Sequence, residues 1–500
     1  MIEREDQTVH TAGTIGPHMV RGAAWMVGMR WCVRLIGLVS TAILARLLTP
    51  TDFGILAMAM VFVGLLEVLL ETGIDQTVIR LKNPTRQDYD SAWTMQIMVG
   101  ATLTVLIFLS APFVADFFEE PRLELAVQVL SLRAVGLGLV NIGVVNFRRQ
   151  LDFAKEFRYA LYRKLIGFVV TITCAVILRS YWAMIIGMVM LPWLDVLLSN
   201  TMQPYRPRLC TARLLHLWRF TRWLVLTNTI DFVRRRFDQF VVARVAGTTP
   251  LANYYIAEDI AVAPSLEVLW PIGRALLPTY SKLIGQPLEA ARAYLATVGF
   301  VAVLALPIGA GLAVVADDLV LVVLGPQWTA AGPLVAWLGF AGALMGFTGV
   351  IHPFFTALGY VRMYAWMVVA EVAVFVPTVI WAGSVGGVEA VAIARLCVVA
   401  VSLPCFLFMS TRVAPVSVLA LAGAVVRPLF ASAAMYVGVR WVHAEGIDIA
   451  ILRLLLDIVA GVVIYAGVLS VLWLLAGRPD GAERLLLSRI STGLRRWSRA

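Results

Sequence analysis

Apolar runs of about twenty residues or more recur along the whole chain, with short polar breaks between them. They fall at roughly 20–45, 53–76, 92–115, 124–147, 159–178, 182–201, 216–245, 251–280, 292–315, 330–357, 363–382, 387–411, 416–442 and 451–476. A helix needs about 20 residues to cross a hydrocarbon layer. The pattern therefore predicts an all-α integral membrane protein with about fourteen transmembrane helices. The last two pairs are the loosest, and twelve or thirteen spans are the alternatives. Pro112, Pro192, Pro264, Pro271, Pro307, Pro353, Pro377 and Pro404 lie inside these runs, where a missing backbone donor lets a helix bend. Gly339, Gly342, Gly346 and Gly349 form a small-residue face suited to close helix packing.

Composition agrees with this reading: the 500 residues are 60% hydrophobic and only 14% charged, with a mean hydropathy of +0.84. A net charge of +10 would point to nucleic acid in a soluble protein, but here the positions of the charges matter more. Alternate connections are basic: Arg80, Lys82 and Arg86; Arg148, Arg149, Lys155, Arg158, Arg163 and Lys164; Arg206, Arg208 and Arg213; then Lys282. The others are short and neutral or acidic, with Asp116, Glu119 and Glu120, then Asp317 and Asp318, then Glu445 and Asp448. The positive-inside rule puts the basic set and both termini in the cytoplasm, and no nucleic-acid partner is expected. The first twenty residues are polar and mixed in charge, so no secretory signal is expected. In the tail, Leu486, Ile490, Leu494 and Trp497 alternate with arginines at helical spacing, which predicts an amphipathic helix on the anionic inner leaflet.

Residues 219–262, RFTRWLVLTNTIDFVRRRFDQFVVARVAGTTPLANYYIAEDIAV, break the apolar rule. Asp231, Arg234, Arg235, Arg236 and Asp238 fall near the middle of a span. Each such charge costs about 2.5–3.5 kcal/mol, so five cost about 12–17 kcal/mol. The apolar residues of the helix return only about 5–9 kcal/mol. This helix must face a protein interior or a wet cavity, and an arginine-lined cavity suits an anion. The same stretch matches an earlier one at an offset of 198 residues, with LARLLTPTDFGILAMA over VARVAGTTPLANYYIA. That match predicts a duplicated unit of about six spans in parallel orientation. The domain organisation expected is a cytoplasmic segment 1–19, an N-lobe 20–201, a linker 202–215, a C-lobe 216–411, two further helices within 416–476 and a basic tail 477–500.

Other charges inside spans extend the candidate set. Arg30 and Arg34 share one face of the first helix, and Glu67 and Glu71 one face of the second. Arg30 and Glu67 lie at similar depth and can pair. At four-residue spacing Asp231 reaches Arg235, and Arg234 reaches Asp238, leaving Arg236 in excess. Glu258, Asp259, Glu267 and Arg274 stand in the eighth helix. Asp195, Glu371 and Arg395 read as isolated charges, and His352 as a buried, hydrogen-bonded histidine. Arginine forks pair bidentately with pyrophosphate oxygens, and buried carboxylates suit coupling because burial moves their pKa toward the physiological range.

Several chemistries find no footing in the sequence. There is no GxxxxGK[ST] phosphate loop, no HExxH motif and no paired-cysteine metal site, and the five cysteines read as small buried hydrophobes. No cofactor or metal is expected. A membrane-embedded polymerase or transferase, which would carry its catalytic groups in sizeable outer loops, and a scaffold remain as alternatives of another class.

Three stretches carry a family resemblance. GLVSTAILARLLTPTDFGILAMAMVFVGLLEVLLETGIDQTVIR resembles the opening signature of the bacterial oligosaccharide flippases, the polysaccharide-transporter branch of the multidrug/oligosaccharidyl-lipid/polysaccharide superfamily. NTIDFVRRRFDQFVVARVAGTTPLANYYIAEDIA followed by ALLPTYSKL resembles its second-half signature, and LVLVVLGPQWTAAGPLVAWLG its LG-x-x-W segment. The likeness covers roughly 20–410. It implies two six-helix lobes around a central cavity plus two extra helices, alternating access, and a bacterial inner-membrane location. It also implies export of polyprenyl-pyrophosphate-linked oligosaccharides for exopolysaccharide, capsule or lipopolysaccharide, beside the polymerase and glycosyltransferases of the same pathway and membrane lipids. On that reading the protein is not an enzyme; Arg30, Arg34, Arg234, Arg235, Arg236 and Arg274 hold the pyrophosphate. Glu67, Glu71, Asp231, Asp238, Glu258 and Asp259 couple or pair. Glu258 and Asp259 depart from the apolar or small residues of relatives. A peptidoglycan-precursor flippase or a cation antiporter of the same superfamily is the near alternative.

Overall fold

Short polar signals between the apolar runs set the helix starts. A computed structural model describes residues 12–70, 74, 78–79, 84–150, 152–442 and 449–477. Helix α1 (Ala12–Leu47) turns into α2 (Pro50–Glu67) through a capping box. There the Thr49 hydroxyl accepts the Asp52 N–H at 3.3 Å, and the Asp52 carboxylate accepts the Thr49 N–H at 3.0 Å. Thr85 and Asp88 repeat the carboxylate half of this device, at 2.8 Å, where α3 (Arg86–Phe118) begins.

Two predicted runs are divided in the structure. The run at 124–147 is broken: α4 (Arg122–Leu139) and α5 (Val145–Arg149) meet through the tight turn Ile142–Val144 at a bend of 59°. Asn141 causes the break, because its side chain accepts the Gly143 N–H at 2.9 Å while its own N–H goes to Ser199 Oγ at 3.1 Å. After α6 (Phe153–Leu178), α7 (Trp182–Met202), α8 (Leu214–Ala246), α9 (Thr248–Ser281) and α10 (Pro287–Val323), the run at 330–357 is also divided, into α11 (Gly332–Met345) and α12 (Thr348–Ala357). The runs at 363–382 and 387–411 form two helices, as expected; they follow one another without a loop as the halves of α13 (Val361–Ser410) and meet at Gly387, with φ 68° and ψ −151°. A β-carbon disfavours that backbone, so glycine is needed there. Helices α14 (Val418–Val442) and α15 (Ala450–Leu475) complete the order.

Among the described residues, nine helices are long and apolar enough to cross a membrane, or ten if the bent α4–α5 pair is one span. The 36-, 33- and 34-residue helices α1, α8 and α9 fall outside that set. They are as long as the others but carry the charges singled out from the sequence. The turn from α1 to α2 and that from α8 to α9 also correspond, since Pro50 and Thr248 each open the second helix 198 residues apart.

Two compact units divide the chain, Met1–Phe232 and Val233–Ala500, so the boundary falls inside α8. In the first unit α3 packs along α4, α6 against α1 and α7, and α4 against α2 and α7. In the second, α10 packs on α11 and α14, and α9 on α11 and α12. Its core is aromatic: Tyr294 stacks on Phe354 at 4.0 Å, and Tyr280 meets the same ring edge-on at 5.3 Å. The expected glycine face is shared out, with Gly339 against Leu312 of α10 and Gly342 against Val262 of α9. The tail expected to be amphipathic, Glu71, and the side chain of Arg274 lie outside the described residues.

Candidate functional site

Charges of the second unit gather from four helix segments into a network around Arg395 and a further ion pair. Arg395, on the second half of α13, is buried and points Nη1 at Asp238 Oδ2 of α8 (2.5 Å) and Glu258 Oε1 of α9 (2.9 Å). The buried Tyr254 hydroxyl donates to the same Asp238 oxygen at 2.5 Å. The other Glu258 oxygen accepts from Arg236 Nη1 at 3.1 Å and from the Gln239 amide. On the first half of α13, Glu371 pairs with Arg234 Nη2 at 2.9 Å.

This arrangement answers the energetic problem posed by α8. Asp238, Glu258 and Glu371 balance Arg236, Arg395 and Arg234, so the named charges sum to zero and each has a partner. Buried charges require that. Partners from α9 and α13 supply what spacing along α8 offered to Arg234 and Asp238. Exposure sorts the arginines further. The Arg234 side chain is 10% exposed and Arg236 is 42% exposed, while Arg235 and Asp259 are exposed and Asp231 is half-buried.

In the first unit Glu67 accepts from Arg133 Nε of α4 at 2.7 Å, and Arg133 Nη1 reaches the Met188 carbonyl at 3.4 Å. The charge pattern of α1 and α2 does not reveal Arg133. Arg30 and Arg34 are half-buried on α1. Asp195 is buried and engaged by Arg163 at 3.2 Å and by the Tyr159 hydroxyl at 3.2 Å. Asp195, Glu371 and Arg395 are thus not isolated: each closes an ion pair with a residue at least 32 positions away. His352 corrects its expectation too, being exposed against the ring of Tyr364 at 4.9 Å. Cys32, Cys397 and Cys405 are exposed rather than buried.

The basic connections of this unit converge at one end. Tyr205 of the linker donates to Asp90 Oδ1 at 2.6 Å, Arg86 Nη2 reaches the Arg206 carbonyl at 3.5 Å, and Arg149 Nη1 reaches the Tyr89 hydroxyl at 3.3 Å. Burial and the Asp90 carboxylate hold the Tyr205 phenol well above its ordinary pKa, so it stays a donor.

The family described as "Polysaccharide biosynthesis protein" matches residues 43–333, more than half of the chain. The chain belongs to this family. As a polysaccharide biosynthesis protein it is 24% identical over 387 residues to the lipopolysaccharide biosynthesis protein WzxC of Escherichia coli (strain K12), covering 76% of this chain and 78% of that one. It is 22% identical over 476 residues to the succinoglycan biosynthesis transport protein ExoT of Rhizobium meliloti (strain 1021), covering 94% of each. Its fold is that of the lipid II flippase MurJ in an inward closed conformation, at a TM-score of 0.74, 12% identity, 89% of this chain and 98% of that one. The family match contains Asp238 and Glu258, while Arg395, which joins them, and Glu371, which pairs with Arg234, lie beyond residue 333.

Proposed function

We propose that this protein is a transporter that flips polyprenyl-pyrophosphate-linked oligosaccharide repeat units across the bacterial inner membrane, supplying exopolysaccharide, capsule or lipopolysaccharide synthesis. Fourteen spans with both termini cytoplasmic, alternating access and coupling to an ion gradient belong to the same proposal. So does work beside the polymerase and glycosyltransferases of its pathway. Family membership and the names of WzxC and ExoT support the class of cargo. The observation that carries the mechanism is the neutral, buried network around Arg395.

Arginines and carboxylates have separate tasks in this reading. Arg30, Arg34, Arg235, Arg236 and Arg274 are assigned to the pyrophosphate, whereas Arg234 is held by Glu371. Asp238 and Glu258 are the coupling groups, with Glu67, Glu71, Asp231 and Asp259 as pairing residues. Glu258 links the two tasks because one of its oxygens holds Arg236 and the other holds Arg395. Withdrawal of Glu258 from these pairs would free Arg236 and Gln239 and leave the remaining charges with a positive excess. In a region of low dielectric that excess attracts an anion strongly. Return of Glu258 would restore the pairs and release the anion.

The deciding experiment is analysis of lipid extracts from cells lacking the protein. Complete lipid-linked repeat units trapped on the cytoplasmic leaflet are the expected result. Unfinished units would make the protein a transferase, and finished but unpolymerised units on the outer leaflet would make it a polymerase; either outcome ends the proposal.

A further inference from the structure

The first unit contains an apolar cleft of about 560 Å³ between α3 and the start of α8. Met95, Val99, Thr102 and Leu106 line it from α3, and Leu215 and Trp218 from α8. The α3 residues recur at helical spacing and form one stripe. Met98 and Leu106 are about half exposed, Trp218 is 47% exposed and Leu215 is 76% exposed. The cleft therefore opens at the surface of the helix pair, in a stretch of α3 apolar enough to lie in a membrane.

The α3 turn preceding Met95 is polar and carries the linker. Arg208 N donates to Asp90 Oδ1 at 2.9 Å, Cys210 N to Thr94 Oγ1 at 2.8 Å and Arg213 N to Ser91 Oγ at 3.2 Å. Three side-chain acceptors on one helix end thus pin a stretch of non-helical backbone. Pinned in this way, it holds Arg206, Arg208 and Arg213 exposed beside Arg86. Against Asp88 and Asp90 these four arginines leave two positive charges in excess, next to an apolar slot.

A slot of this kind fits an amphiphile with a long apolar chain and a compact, multiply charged anionic head. We infer that it docks the isoprenoid-pyrophosphate end of the lipid carrier on first binding, before the pyrophosphate passes to the arginines assigned above, with the first isoprene units between α3 and α8 and the phosphates at Arg208 and Arg213. The inference rests on the translocation reading above. A bilayer phospholipid carries a single phosphate diester and suits a double positive excess less well than a pyrophosphate, which arginine forks bind bidentately. The cleft itself adds little free energy, because lipid tails offer the chain surroundings as apolar as its walls. Affinity then comes from the arginines and selection from the shape of the slot.

The test measures binding of a radiolabelled polyprenyl pyrophosphate to the full-length protein in phosphatidylcholine nanodiscs. Val99→Trp fills the slot, and Arg208→Ala with Arg213→Ala empties the rim. Val105→Trp, on the exposed side of α3, is the control. The slot and rim variants should each bind at least about tenfold more weakly, the control should bind as the parent does, and excess phosphatidylglycerol should not displace the probe. If Val99→Trp does not fold, Thr102→Phe takes its place. A folded slot variant that binds within twofold of the parent overturns the inference and leaves the translocation reading intact. Displacement by phosphatidylglycerol overturns it in favour of a bilayer lipid. A parent protein that binds no probe overturns it as well, and the lipid extracts then decide the translocation reading separately.

Discussion

Arg395 shows why a buried charge is best judged by what happens when its partner is removed. Its guanidinium lies between Asp238 and Glu258 with almost no exposure, so the pairs offset desolvation rather than add much stability. Truncating one member of such a set leaves the others charged and unpaired, at a cost of about 3–5 kcal/mol. Arg395→Met should therefore markedly lower the thermal midpoint of the purified protein in detergent. Adding Asp238→Asn and Glu258→Gln should recover most of that loss, because the charges then leave together and Arg236 is exposed enough to reach water. The restored protein should still fail to respond to an imposed proton gradient when it moves lipid-linked sugar into vesicles. A triple variant no more stable than Arg395→Met would sink the electrostatic account. A triple variant with gradient-driven transport would remove these carboxylates from coupling.

Helix packing in the first unit depends on one close approach between α3 and α4. A β-carbon on Gly138 would stand 2.6 Å from the Gln96 carbonyl oxygen, and one on Gly100 2.7 Å from that of Ala134. Both neighbours are backbone and cannot swing away, so Gly138→Ala should cost about 1–3 kcal/mol through overpacking. A detergent melt that does not move would show that the helices can separate at no cost. The positions of α3 and α4 were legible in the apolar runs because length and hydropathy are local properties. The break after Leu139 was not, since Asn141, besides capping the local Gly143 N–H, is held there by Ser199, Asn200 and Tyr205, all roughly sixty residues away. Distance along the chain also hid the network. Asp238 and Arg395 are 157 residues apart; spacing along α8 offers Asp238 only Arg234, and Arg395 alone looks like a stray charge in an apolar helix. Arg133 went unnoticed for the same reason, as its partner Glu67 lies on another helix 66 residues earlier. The charged helix α8 is legible from the sequence, however, because five charges in one span cannot face lipid.

At the scale of the whole chain, the charges of the connections make a prediction about orientation. In the first unit Arg86, Arg149 and Arg206 meet at one end, while Asp52 accepts the Tyr181 N–H at 2.9 Å at the other, near Glu120 and Arg122. Arg122 holds the Glu120 carboxyl below its usual range through their hydrogen bond, so this second end keeps no large positive excess. Lysine and arginine resist translocation whereas acidic residues contribute little, so the arginine end should remain in the cytoplasm. Single cysteines placed at Arg208 and at Glu120, in a background without the five native cysteines, provide the measurement. In intact spheroplasts an impermeant maleimide should label Glu120→Cys and leave Arg208→Cys untouched until the membrane is opened. The opposite labelling would reverse the orientation of the unit. It would put the arginine-rimmed cleft on the outer face, where a carrier awaiting export from the cytoplasmic leaflet could not reach it, and the docking inference would fall together with the orientation.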